Sequence, residues 1–313
     1  MKKLLSIIIV LILAAGVAAG CYLGYNYFTK DETKQAEGQA QRQEPIFTLD
    51  NYPKVDASLA TQPLTNAFIK NFTGENVDVS KLDYTNTHPG YIRLVDGEVD
   101  LIVVTEPSED ELAYAKEKGV ELEVVPVVRE GFVFYVNGEN PVSNLTFEQI
   151  QKIYTGEIKN WSEVGGNNAP IRALQRNLNS GSQTGMLSLV MKGLDLMEPL
   201  TEDRIGTMES IINIVSDYDN GINSLGYSYY YYATTMYDEI DKAVADGIKL
   251  LAVNGVKPNY ETIQNETYPI KTAYYIVIRK NEPEESPARK LKEAMLSVRG
   301  QNVAKEAGYV PAK

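Results

Sequence analysis

Two apolar runs, GFVFYVN beginning at Gly131 and AYYIVIR beginning at Ala273, bracket the middle of the chain. Each is dense in β-branched and aromatic residues and has the length of a buried strand. A chain that enters its middle section through one such strand and leaves through another passes between two halves twice. Two crossovers make a hinge, and the cleft between the halves is the natural seat for a small ligand. Strands and amphipathic helices alternate around these runs: VDLIVV (99–104), LEVVPVV (122–128) and GFVFYV (131–136) read as strands, TQPLTNAFIKNF (61–72) and SEDELAYAKEK (108–118) as helices. There follow the helix TFEQIQKIYTG, the loop NWSEVGGNNAP, the strand IRALQ, the helix GSQTGMLSLVMKGL and a second α/β set to about Val253. The strand TAYYIVIRK (272–280) and one closing helix, SPARKLKEAMLSVRG, bring the chain back. This alternation predicts an α/β fold. A length of 313 residues exceeds what one core usually serves, so two lobes are expected: 46–134 plus 272–313, and 135–271.

The first 28 residues are targeting rather than fold: Lys2 and Lys3 head an apolar run from Leu4 to Phe28. Two readings compete. Ala18, Ala19 and Gly20 directly before Cys21 suggest a lipoprotein signal with Cys21 as the acylated residue, although Tyr22 and the alanine three positions before Cys21 fit it poorly. Alternatively, about 20 apolar residues span a bilayer and leave an uncleaved anchor, with the positive head inside. Gly16, Gly20 and Gly24 at spacing four would suit a packed helix pair in that case. Both readings place the folded part on the extracytoplasmic face of the cell membrane. Residues 29–45, polar and Gln-rich, read as a flexible linker.

A net charge of -12, from 42 acidic against 30 basic residues, repels a phosphodiester backbone, so nucleic acid is not an expected partner. One histidine, His88, and one cysteine leave no Cys/His metal cluster and no Ser-His-Asp triad with partners to spare. Neither a metal nor another cofactor is expected, and no enzymatic chemistry.

Three helix starts nevertheless look able to hold an anion, because the first N–H groups of a helix are unpaired and carry about half a positive charge. Ser58 and Thr61 precede Pro63; Thr85, Thr87 and His88 precede Pro89; Ser180, Gly181 and Ser182 open a helix four residues after Arg176. An arginine there can reach back with a bidentate fork. Solvent screens the distant acidic field within about 10 Å at ordinary salt, so net charge does not veto such a site. The same serines and threonines also read as ordinary helix caps. Of the other features, the tetrad Tyr229 to Tyr232 reads as a half-buried wall, Asp217, Asp219 and Gly221 as a turn, and Trp161 as the anchor of its own loop; His88 either donates to a ligand or caps its helix.

The run LTFEQIQKIYTGEIKNWSEVGGNNAPIRALQRNLNSGSQTG resembles the periplasmic phosphate-binding proteins of ABC importers, which carry a similar NW, VGG and API block followed by an R-x-x-x-S-G-T motif. NYPKVDASLATQPL resembles their first strand and helix entry, and VNGVKPNYETIQNETYPI their return segment. The resemblance implies the two-lobed periplasmic-binding-protein (type II) fold and a captured oxyanion, inorganic phosphate or a relative, presented to ABC permease subunits. By position it makes Arg176 the clamp and Ser180, Gly181 and Ser182 the donors; Ser182 stands where threonine is usual. Ser58 matches a family serine, whereas Leu59 replaces a threonine and loses a donor. TNTHPG and VVTEPS depart from the family pattern, which leaves Thr87, Thr105 and Glu106 as candidates only. An anchored sensor or assembly module reusing the fold is the alternative.

Overall fold

A single 16-residue strand, Leu122–Asn137, runs through the centre of the sheet. The sequence predicts two strands there, because Arg129, Glu130 and Gly131 interrupt the apolar run. The strand continues because the interruption is satisfied internally. Glu130 is 4% exposed, and its carboxylate accepts N–H bonds from Gly131 at 2.8 Å and Tyr231 at 3.3 Å. At Gly131 a Cβ would stand 3.0 Å from Ile263 Cδ1 and 3.3 Å from Tyr268 Cδ1, so a larger residue would require those side chains to shift by a few tenths of an ångström.

The computed structural model describes residues 44–75, 78, 82–217, 221–236 and 247–313. The expected membrane segment, Cys21, most of the linker and Asp219 lie outside them. No helix among the described residues is long and apolar enough to cross a membrane. Residues from Phe47 on form one compact unit, built on this sheet.

The long strand changes partner partway. From the Leu122/Arg279 pair to the Gly131/Lys271 pair it runs antiparallel to the return strand, Lys271–Arg279. From the Phe132/Tyr229 pair onward it runs antiparallel to Ser224–Tyr229. The return strand also pairs with Leu101–Val104, which lies parallel to Val55–Ala57 at one edge. Arg172–Ala173 lies parallel to Ser224–Tyr229 at the other edge. Ile248–Leu250 and Val310–Pro311 complete an 8-stranded mixed sheet.

Helices cover this sheet for local reasons. In Gln62–Thr73, a proline in the first turn sets the entry and Gly74 at φ 67 the exit. Leu64, Phe68 and Phe72, four residues apart, are fully buried, and each contributes roughly 1.5–3 kcal/mol by leaving water. The ring centroids of Phe132, Phe134 and Tyr227 lie 5.5 to 6.2 Å apart in the core beneath the second half of the long strand.

Two helices differ from expectation. The closing segment forms Pro287–Leu296 and Val298–Glu306 rather than one helix. Ser297 takes an extended conformation, and its Oγ accepts the Gly300 N–H at 3.2 Å, so a side-chain cap starts a new helix where apolar spacing alone suggests continuation. The segment after Ser180 is α-helical only over Gly181–Gly185, then π-helical over Met186–Met191 until Lys192 at φ 50 stops it. The tyrosine tetrad is buried more fully than expected: Tyr229, Tyr231 and Tyr232 are at most 4% exposed, and Tyr231 stacks on Tyr309 at 3.6 Å.

Burial pushes the Glu130 carboxyl up from 4.5 to about 8, against the backbone hydrogen bonds from Gly131 and Tyr231 that lower it. Because the folded value is the higher one, this residue's contribution to stability is complete below about pH 4.5 and is lost as pH rises through about 8. Melting curves should therefore show the protein losing a few kcal/mol of stability between about pH 4.5 and 8, and Glu130→Gln should flatten that slope.

Candidate functional site

The first strand ends at Ala57, and Ser58, 5% exposed, leads into a short 3₁₀ turn, Leu59–Thr61. Ser58 Oγ lies 2.9 Å from Thr61 Oγ1, and the Leu59 N–H is held by Asn86 Oδ1 at 3.0 Å. Asn86 has φ 83 and ψ -177, a positive-φ extended conformation that is otherwise almost confined to glycine. It opens the helix Thr87–Val95, so one strained residue fixes two chain entries at once. Thr87 is 6% exposed. His88 Nδ1 lies 3.0 Å from Glu111 Oε1, and Glu111, whose pKa is raised by burial, also accepts the Ser108 N–H at 2.7 Å.

Just past the strand Leu101–Val104 stands Thr105, 3% exposed. Its Oγ1 makes no hydrogen bond. The neighbouring Tyr229 hydroxyl donates instead to Gly181 O at 2.9 Å. A buried hydroxyl without a partner costs roughly 1–3 kcal/mol, and Thr105 shares this condition with Tyr52, Ser224, Ser228, Tyr260 and Tyr274 among the described residues.

Arg176 ends the short strand Gln175–Arg176 and is 8% exposed. Its guanidinium donates to Ile205 O at 3.1 Å, Gly206 O at 3.0 Å and Ser182 Oγ at 3.3 Å. These are all neutral oxygens, and among the described residues no carboxylate forms an ion pair with it. Burial lowers its pKa, yet a guanidinium stays charged at neutral pH. Gln183 Oε1 accepts the Arg176 N–H at 2.9 Å, which locks the residue to the helix it precedes. Ser180 caps that helix by accepting the Gln183 N–H at 3.4 Å.

Ser58, Leu59, Thr87, Arg176, Ser180, Gly181 and Ser182 all line one cavity of about 460 Å³. His88 and Thr105 line it too. Glu106 does not. The chain bends at Thr105, just past the strand, and Glu106 instead accepts a bond from Ser188 Oγ. Its pKa is raised by burial, with the Ser188 bond acting in the opposite direction. Asn86, Gly206, Thr207, Met208, Tyr229 and Tyr232 also line the cavity, and none of them is marked as a site residue by the sequence. For one of them a signal existed: Thr207 caps the helix Met208–Ser216, and a threonine directly before MESIINIV is a helix-start pattern.

Two contacts beside the cavity join the segment before the crossing to the middle segment: Glu106 with Ser188, and Asn179 Nδ2 with Asp110 Oδ2 at 2.9 Å. Ser188→Ala should weaken binding of a ligand in this cavity only severalfold, the scale of one hydrogen bond made near but not in it, as read by isothermal titration.

The cavity is thus ringed by buried hydroxyls and helix starts, with one uncompensated guanidinium, beside a mixed sheet built on the long strand. A family model described as a PBP superfamily domain matches residues 36–293, and the chain belongs to that family of solute-binding proteins, not to a family of enzymes. The phosphate-binding protein PstS of Bacillus subtilis is 27% identical over 220 residues, which is 69% of this chain and 66% of the relative. PstS of Borreliella burgdorferi is 27% identical over 186 residues, 59% of this chain and 64% of the relative. The match thus spans just under two thirds of each relative's length. An ABC-type phosphate transport receptor from Vibrio cholerae shares the fold with a TM-score of 0.58 at 20% identity, covering 82% of this chain and 98% of that one.

Proposed function

We propose that this protein captures inorganic phosphate or a similar tetrahedral oxyanion in the cavity and presents it to the permease of an ABC importer. Within this reading 46–134 plus 272–313 make one lobe and 135–271 the other, and the cavity is the cleft between them. A membrane tether through the N-terminal segment, by acylation at Cys21 or as an anchor, holds the binding unit on the outer face.

The observation that carries the reading is Arg176. A buried guanidinium bonded only to neutral oxygens leaves a positive charge whose desolvation costs several kcal/mol, and an anion seated beside it offsets that cost. The phosphate named for the Bacillus and Borreliella relatives agrees with this chemistry. Titration of the full chain with phosphate, arsenate and sulfate is expected to give saturable heat with at least one of them. Absence of binding to all three sinks the reading.

A further inference from the structure

The cavity is large for the guest assigned to it. A phosphorus with four oxygens occupies on the order of 100 Å³, if each oxygen takes about the 30 Å³ share of a water. The cavity holds about 460 Å³, inside the roughly 300–1,000 Å³ range of pockets that take organic ligands.

The surplus has its own chemistry. Leu59, Pro89, Leu178, Met208 and the Tyr232 ring line the same space as the polar groups. Leu59 is 37% exposed and Leu178 66% exposed. One exposed leucine on a protein surface is ordinary, but two on the wall of one cavity, next to a methionine and a proline, give that wall an apolar face. Charge narrows the guest further. Among the lining residues Arg176 is the sole guanidinium and no carboxylate is present. A guest with an ammonium group would find no counter-charge, and a second anionic group would compete for Arg176. Neither has a place.

We infer, resting on the oxyanion reading above, that the cavity is built for a phosphonate or phosphate monoester carrying a short, uncharged, apolar organic group. The oxyanion head meets Arg176 and the Ser180 and Ser182 hydroxyls, and the organic part covers Leu59 and Leu178. No bond is made or broken.

The test is isothermal titration of the full chain with inorganic phosphate, propylphosphonate, phenyl phosphate and phosphoethanolamine. Each buried methylene raises affinity about three- to fourfold. Against the loss of one oxygen contact, propylphosphonate and phenyl phosphate are expected to bind on the order of tenfold more tightly than phosphate, and phosphoethanolamine no more tightly than phosphate. Leu178→Ser should shrink the propylphosphonate-to-phosphate ratio severalfold. If the space is only the gap of an open cleft that closes on a bare anion, phosphate binds at least as tightly as either organic probe and the ratio ignores Leu178. That result overturns this inference and leaves the oxyanion reading standing. Silence from all four probes removes this inference, and the oxyanion reading falls with it only if arsenate and sulfate are silent as well.

Discussion

Arg176→Ala is expected to lower phosphate affinity about 100-fold, with little loss of fold stability. The guanidinium is the one arginine, lysine or carboxylate charge lining the cavity, and on the proposed reading its charge-assisted hydrogen bonds to the anion contribute about 1.5–3 kcal/mol each. Two such bonds lost as a unit come to roughly 3 kcal/mol, or about two powers of ten in Kd. The fold should tolerate the change. Removing the side chain frees Ile205 O and Gly206 O, of which Gly206 lines the cavity, and it also removes a buried charge that has no carboxylate partner among the described residues. A melting temperature close to or above that of the parent, together with collapsed affinity, is the expected pair of results. Arg176→Lys keeps the charge but loses the planar fork, so about tenfold weakening is expected from that variant. Titration within threefold of the parent for Arg176→Ala would show that the anion sits elsewhere.

The legibility of this site in the sequence depends on how far apart its parts lie along the chain. Arg176, Ser180, Gly181 and Ser182 fall within one strand-to-helix turn, and short spacing alone places them together. Ser58 and Thr87 were readable because helix starts carry a local signature of hydroxyl residues and proline. Tyr229 and Tyr232 reach the cavity only through packing of the strand Ser224–Tyr229 against the long strand, which no local pattern encodes. Thr105 and Glu106 show the limit of adjacency. Both were readable as candidates, but which one lines the cavity depends on how the chain bends just past Leu101–Val104. In the fold, the α/β alternation and most element positions were visible because apolar periodicity encodes them. The continuity of the long strand was not, because it rests on a buried carboxylate finding backbone N–H partners at Glu130. Ser297 is the converse case, a capping side chain that overrides an apolar stripe.

Gly181→Ala should be as damaging to binding as loss of the arginine, for a steric reason. A Cβ on Gly181 would stand 2.5 Å from Thr105 Oγ1 and 2.9 Å from Thr87 Oγ1, closer than such atoms can approach. The glycine belongs to the middle segment, and both threonines to the segment before the crossing. An added methyl therefore acts as a wedge between the two walls of the cavity. Neither wall yields easily, since Thr87 and Thr105 are buried and Tyr229 holds Gly181 O at 2.9 Å. Overpacking of this kind costs about 1–3 kcal/mol if the walls stay in place. If they move apart instead, the cost appears as lost affinity, because donors from opposite walls no longer reach one anion together. Phosphate affinity is expected to fall on the order of 100-fold, while the melting temperature drops by only a few degrees. The double variant separates this wedge from a general loss of fold. Thr105→Ala removes the nearer of the two clashing atoms, so Thr105→Ala with Gly181→Ala should bind phosphate more tightly than Gly181→Ala alone, with a coupling of about 1–2 kcal/mol. Additive effects in that cycle would mean that the two residues do not meet across the cavity, and the shared oxyanion cradle drawn from them would have to be abandoned.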